Sequence, residues 1–483
     1  MRKKLWPLLF VTFALRLALA QAASPPGTDH SVIGHSVTGN TLVVLAFENT
    51  SRTTNLEWIG ESFPEVLRDQ LNSPLLYVVD REDRLRAYDR IGIPARVPVS
   101  RPTLYRIAEQ MDLDLVVLGE YSYEANVLTA TAQVLDMRRQ KLLAPLTERG
   151  ALPDLIRIES ALAWGVQRQI RPDFTVGREE YLAKAPALRL NALENYVRGI
   201  VANGAADKIK RLQEAVRLSP EYDQAWLELG KTHFAERQYA PAAEAFGHVT
   251  ASAFQANEAN FYLGLASYYQ GDWPRAETAF AFVAARLPLS EVYNNLGVAQ
   301  SRRGSKRAEQ HFRRAAQNDP GDADYHFNLA VALARGGDLN GAGRQLHQAI
   351  TLRPNDTEAK ALLDQIDLDL KSAPATPPQP MKLPLERIKR NYAESSFRQL
   401  DVEIQAAAEQ KLAKADPRTH GLYHAERGKE LLAHGFAVEA EKEFREALKL
   451  DATNADAQAG LAQILELVND SKQTETKPME VHP

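Results

Sequence analysis

The chain is expected to fold as an α/β N-terminal domain followed by an all-α solenoid of helix-turn-helix repeats. Three observations carry that expectation. Between Pro220 and Pro354 small and aromatic residues return about every 34 residues. Between Thr41 and about Ile170 short apolar runs of strand length alternate with amphipathic stretches. Proline follows several of the repeating units, at Pro220, Pro288, Pro320 and Pro354, where it stops one helix and sets up the next unit.

Each repeat element has a physical task. Gly230, Gly264, Gly297 and Ala330 precede Ala242, Ala276, Ala308 and Ala342 by twelve residues, eleven in the third copy, and four residues later come Phe246, Phe280, Phe312 and Leu346. A small residue on the first helix admits the second, and the aromatic fills the layer that results. One such residue says little, since an isolated glycine in a helix is simply tolerated; the register over four copies is what counts. With Trp226, Leu229, Gly230, Tyr239, Ala242 and Phe246, then Leu263, Gly264, Trp273, Ala276, Phe280 and Pro288, the segment resembles the tetratricopeptide repeat. The match weakens at the edges: the segment from 189 to Pro220 has Tyr196 and Lys208 where small residues belong, and the third copy is one residue short at Gly304-Ser305-Lys306. A further unit returns with Gly428, Ala440, Phe444 and Ala447, and the half unit from Asn454 to Leu467 is expected to cap it.

In the N-terminal part, Leu42–Phe47, Leu75–Val79, Leu115–Tyr121 and Val127–Leu135 read as strands, the last two as a hairpin about Asn126. Helices are expected near Leu56–Leu71, Arg81–Arg90, Pro102–Met111 and Leu155–Ile170. Strands and helices in alternation make a layered α/β domain. Val43-Val44-Leu45-Ala46-Phe47-Glu48-Asn49, Trp58-Ile59-Gly60-Glu61-Ser62-Phe63, Asp114–Gly119 and Ala132–Asp136 resemble the TolB-type N-terminal domain, a module of envelope proteins often fused ahead of tetratricopeptide arrays. These are mostly core residues, so the resemblance implies fold more than function.

Arg2-Lys3-Lys4, an apolar run from Leu5 to Leu15 and the small residues Ala18-Leu19-Ala20 have the form of a secretory signal peptide. The expected location is thus periplasmic or secreted. Removing residues 1–20 takes the formal charge from −4 to −8, which disfavours nucleic acid as a partner. No later apolar run is long enough to span a membrane. With no cysteine, disulfides, thiolate metal sites and a cysteine nucleophile are excluded together. The expected organisation is signal peptide 1–20, flexible leader 21–39, α/β domain 40–172, repeat array 189–370, proline-rich linker 371–386, C-terminal helical module 387–467 and polar tail 468–483.

Candidate chemistry is sparse. There is neither a phosphate-cradling glycine loop nor a dinucleotide fingerprint. His420 and His424 share a helix face but lack a glutamate between them, and a surface pair is the simpler reading. His30 and His35 fall in or beside the leader. Glu120 and Glu124 flank a hairpin, where solvated acids are the default, and Ser62 and Ser122 have no histidine at a triad spacing. Trp226, Tyr262, Trp273 and Tyr293 read as packing between helices. No cofactor and no metal are expected, and the chain reads as a non-enzyme.

The tetratricopeptide resemblance implies a concave groove lined by the first helix of each pair. It would offer Lys231, Phe234, Phe261, Tyr268, Tyr269, Asn294, Arg302, Phe327 and Arg335, rings and cations suited to a peptide, although several could equally cover the next helix. The expected function is an exported scaffold binding a protein or peptide partner in an envelope complex. The alternative is small-molecule or glycan sensing by the α/β domain, with the repeats as relay or oligomerisation module.

Overall fold

A computed structural model describes residues 41–371 and 382–464 except 52, 73–75, 95–99, 112, 172–173, 395–411, 413–414 and 434–436. The expected signal peptide, leader, tail and most of the linker lie outside the described residues, as do His30 and His35. The described residues fall into two compact units, one built on the chain up to Ala256, the other on Asn257–Tyr392 and the segment from Asp416 onward. An α/β layer followed by a helical solenoid is what the structure shows.

In the first unit, β1 (Thr41–Val44) lies between parallel partners β3 (Tyr77–Val78) and β4 (Leu115–Glu124). The strand β4 pairs antiparallel with β5 (Val127–Asp136) from Leu115↔Asp136 to Glu124↔Val127. Three strands lacked a signal in the sequence: β2 (Glu48–Asn49), β6 (Lys141–Leu142) and β7 (Leu146–Gly150). Two of them are two-residue strands, and β7 carries only one large apolar residue, Leu146, so neither apolar run nor alternation marks them.

The helices α1 (Trp58–Leu71) and α4 (Leu155–Ile170) cover one sheet face with Phe63, Leu67, Leu162 and Val166. The other face carries α2 (Arg81–Arg90) and α3 (Arg101–Met111) through Tyr88, Leu104 and Ile107. After α5 (Arg178–Leu182) come the helix pairs α6 (Leu190–Ile200) with α7 (Ala205–Leu218) and α8 (Asp223–Ala235) with α9 (Tyr239–Gly247). Their core is continuous with that of the sheet, one cluster running from Leu42 to Ala245. Tyr196 departs from the repeat pattern for a visible reason: its hydroxyl donates to Glu65 of α1 at 2.8 Å, inside that shared core. Gly199 takes over the small position, where a Cβ would sit 3.1 Å from Leu212.

The second unit holds α10 (Ala256–Gln270), α11 (Trp273–Ala284), α12 (Ser290–Arg302), α13 (Ala308–Asn318), α14 (Ala323–Arg335), α15 (Leu339–Leu352) and α16 (Thr357–Lys371), followed in sequence by helices Pro417–Ala433 and Ala437–Leu450. The repeat glycines work as a lock within each pair. A Cβ on Gly264 would lie 2.6 Å from the Phe280 ring, on Gly297 2.8 Å from Phe312, and on Gly428 2.6 Å from Phe444. Where Leu346 replaces the phenylalanine, the partner position carries alanine, Ala330.

Candidate functional site: a groove holding an extended segment of the same chain

The first helices of successive pairs, α10, α12 and α14, together with α16, flank a groove, and residues 382–392 run through it without helix or strand. Two asparagines hold this strap by its backbone. The Arg387 N–H donates to Asn328 Oδ1 at 2.7 Å, and Asn328 Nδ2 donates to the Arg387 carbonyl at 2.7 Å. The Lys389 N–H donates to Asn295 Oδ1 at 2.8 Å, and Asn295 Nδ2 donates to the Lys389 carbonyl at 2.7 Å. Asn294 Nδ2 adds a second donor to the Arg387 carbonyl at 2.9 Å, while Asn294 Oδ1 accepts from Asn328 at 2.7 Å. In an extended chain the N–H and C=O of residue i point the same way as those of i+2. The amide pairs therefore read alternate residues as an added strand would be read. All three asparagines are fully buried, so each unmade bond would leave a desolvated amide.

Side chains of the strap meet complementary charge. Glu386, its side chain fully covered, accepts from Arg335 at 2.6 Å and from Ser301, and lies 3.6 Å from Arg302. Arg387 donates to both oxygens of Asp356 at 2.6 and 2.9 Å, to Glu358 at 2.8 Å and to Asp324 at 3.1 Å. Its guanidinium lies 3.6 Å from the Phe327 ring centroid. Lys389 reaches Asp322 and Asp324, each at 2.7 Å. Leu383 and Ile388 pack on the repeat core, and the Tyr392 ring stacks on Phe261 at 4.7 Å. Burial pushes Asp324 up, but hydrogen bonds from Arg353, Lys389 and Arg387 outweigh it and hold the carboxyl well below the usual range. Asp356 is also lowered, chiefly by its hydrogen bonds with Arg387.

Of the nine residues expected to line the groove, six meet the strap. Phe261, Asn294, Arg302, Phe327 and Arg335 do so as described, and Tyr269 has the Arg390 guanidinium 5.8 Å from its ring. Tyr268 instead supports the groove, accepting from Arg302 at 3.3 Å and packing on Trp273. Lys231 and Phe234 belong to the first unit, where Lys231 pairs with Glu82 and Phe234 is buried against Tyr239. Sequence reasoning missed Asn295, Ser301, Asn328 and the acids Asp322, Asp324, Asp356 and Glu358. A signal existed for Asn328: it stands 34 residues after Asn294, at the same place in the repeat. The strap spans the end of the expected linker, 371–386, and the start of the expected C-terminal module, 387–467. Its proline-rich approach hid it, because an extended segment held by side-chain amides has no hydrophobic period.

The other candidates fare as follows. Glu124 ends β4 at the exposed hairpin turn, where Ala125 and Asn126 both have positive φ, 50° and 63°. His424 bonds Glu443 at 2.7 Å. Among the described residues no three His, Asp or Glu side chains gather as a metal would require. The first unit contains a cavity of about 680 Å³ lined by Phe47, Trp58, Tyr88 and Tyr121, with Asn49 and Arg198 among its polar groups. Gly119 makes room for the Phe47 ring there, 2.3 Å from where its Cβ would be.

Residues 306–366 match the tetratricopeptide repeat family. Among solved structures the chain is similar to YrrB, described as a TPR protein with an unusual peptide-binding site, at 18% identity over 36% of this chain and 89% of that one, with a TM-score of 0.33. It is similar to MamA from Desulfovibrio magneticus at 19% identity over 33% and 92% of the two chains, with a TM-score of 0.30. The C-terminal domain of LpoB from Salmonella enterica aligns at 15% identity over 24% and 86%, with a TM-score of 0.21. No curated protein matches the chain.

Proposed function

We propose that this protein is a non-catalytic scaffold that binds an extended segment of a partner protein in the groove between α10 and α16. The observation that carries the reading is the pair of amide contacts from Asn328 and Asn295 to alternate backbone units, Arg387 and Lys389. Backbone recognition of this kind fits any chain able to extend, and the flanking charges then select among sequences. The proposal includes export to the periplasm or beyond, on the signal-like residues 1–20, a TolB-type identity for the α/β domain, and work in envelope assembly or secretion. A photoreactive amino acid placed at Tyr269 or Arg335 in the native host tests it. One or a few specific crosslinked proteins are expected, and crosslinks should disappear in an Asn295→Ala/Asn328→Ala background. No crosslinked protein from either position in a folded chain would remove the groove from the function.

The cavity in the first unit favours a second reading, binding of a small amphipathic molecule by the α/β domain. Its volume suits such a ligand, and rings with a few polar groups suit its chemistry. Thermal shifts of the full chain against sugars, cell-wall fragments and nucleotides would show it, and a shift lost in Trp58→Ala would place it in the cavity. A flat response across those classes argues against it.

A further inference from the structure

Every polar contact that holds the strap could be offered by another chain. The amide groups bind backbone atoms, Arg335 and Arg302 bind a carboxylate, and the acids at the N-terminal ends of α14 and α16 bind a guanidinium and an ammonium. The spacing is fixed by the groove. The acid comes first, the arginine follows at once, and the second base stands two residues later, because Arg387 and Lys389 are the two backbone units read by Asn328 and Asn295. An aromatic three residues beyond the lysine stacks on Phe261, as Tyr392 does. The strap is also tethered. Ten residues, 372–381, four of them proline, separate it from the end of α16 at Lys371.

We propose that residues 383–392 are an internal mimic of the partner: the groove takes from another protein an extended segment of the pattern acid-Arg-x-Lys, and its own strap must leave first. The inference rests on the groove function proposed above. A strap attached through so short a linker competes at an effective concentration in the millimolar range, which lowers the apparent affinity of a free competitor of similar strength by on the order of 100-fold. The groove of the resting chain is thus kept from weakly matching segments, and only a partner of high affinity or high local concentration displaces the strap.

The test uses the full chain and a fluorescein-labelled peptide copying residues 382–392, read by polarisation. Wild type is expected to bind it at least about tenfold more weakly than a strap variant, Glu386→Ala/Arg387→Ala/Lys389→Ala, whose groove is intact but whose own strap holds poorly. Adding Asn295→Ala/Asn328→Ala to that variant should abolish binding, and a peptide with alanine in place of the acid, arginine and lysine should not bind. Arg387→Ala alone, which leaves both amide contacts in place, should give a smaller gain and keeps the test open if the triple variant does not fold. Equal affinity of wild type and strap variants, or equal binding of the alanine peptide, overturns the proposal. So does a wild-type dimer that the peptide dissolves, since the strap would then be exchanged between two copies. Peptide binding as expected with no crosslinked protein in the host would leave a groove closed by its own strap and overturn the partner it is proposed to mimic, whereas crosslinks without peptide competition would keep the partner and overturn the mimicry.

Discussion

Ser62 has one hydroxyl proton, shared between the carbonyl of Ile59 at 2.8 Å and the carboxyl of Glu159. Glu159 Oε1 accepts from that hydroxyl, while its other oxygen is buried without a hydrogen-bond partner among the described residues. Glu159 is fully buried, and burial pushes it up to about 8 although the Ser62 bond acts the other way. The folded state therefore holds a proton that the unfolded state releases above its ordinary value of 4.5, so this group's contribution falls as pH rises from 4.5 to about 8 and is level above. The slope is at most ~1.4 kcal/mol per pH unit. Glu159→Gln keeps a carbonyl acceptor for Ser62 without the titration. It is expected to melt higher than wild type at pH 8, by a margin that shrinks towards pH 5; a margin independent of pH would mean that Glu159 is ionised in the fold. Nothing in the sequence singled out this residue, because the partner that buries it, Ser62, lies 97 residues away. By contrast Asn294 was legible as a groove residue from repeat register, and Asn328 shares that register.

At the scale of elements, the repeat spacing was legible because its cause is local: glycine on one helix faces phenylalanine on the next. Gly297→Val would set a branched side chain on an atom position 2.8 Å from the Phe312 ring, in a fully buried layer. Overpacking of this kind costs about 1–3 kcal/mol, with a further β-branch penalty in a helix. Since Asn294 and Asn295 sit one turn before Gly297 on α12, the variant is expected to lose strap contacts as well as stability, seen as a lower urea midpoint and stronger binding or none of the strap peptide, never wild-type behaviour in both. The β4–β5 hairpin makes the opposite case. Its two-residue turn demands the left-handed region at Ala125, where φ is 50°, and alanine tolerates that poorly. Ala125→Asn is expected to stabilise, because asparagine relieves part of the ~1–2 kcal/mol that the left-handed region costs other L-residues, measurable as a raised midpoint, while Ala125→Val should lower it. The short strands β2, β6 and β7 had no such local cause and took their form only from pairing with β4 and β5.

Over the whole molecule, the class of fold follows from periodicity, whereas the state of the groove follows from a segment that has none. Residues 372–381 carry four prolines and no charge, whereas 382–392 carry one proline and five charged residues, and neither stretch has the period of a helix or a strand. Five ion pairs at Asp322, Asp324, Asp356 and Glu358 make docking of the strap electrostatic in large part, and their partial exposure makes it sensitive to salt and acid. Asp324 and Asp356 are held below the ordinary aspartate value of 3.8, so their contribution is complete above that pH and is lost as pH falls through the lowered values. Hydrogen exchange reports the strap directly, because the amides of Arg387 and Lys389 are the donors to Asn328 and Asn295. After correction for intrinsic rates, their protection at pH 7 is expected to drop by roughly tenfold or more as pH falls below 3.8 and, less steeply, as salt screens the pairs. Amides of the α12 and α14 cores should keep theirs over the same range, which separates strap release from unfolding of the repeats. Protection of Arg387 and Lys389 that ignores both acid and salt would mean that the asparagine amides alone hold the strap, and that the charges around it choose a sequence without setting how tightly it is bound.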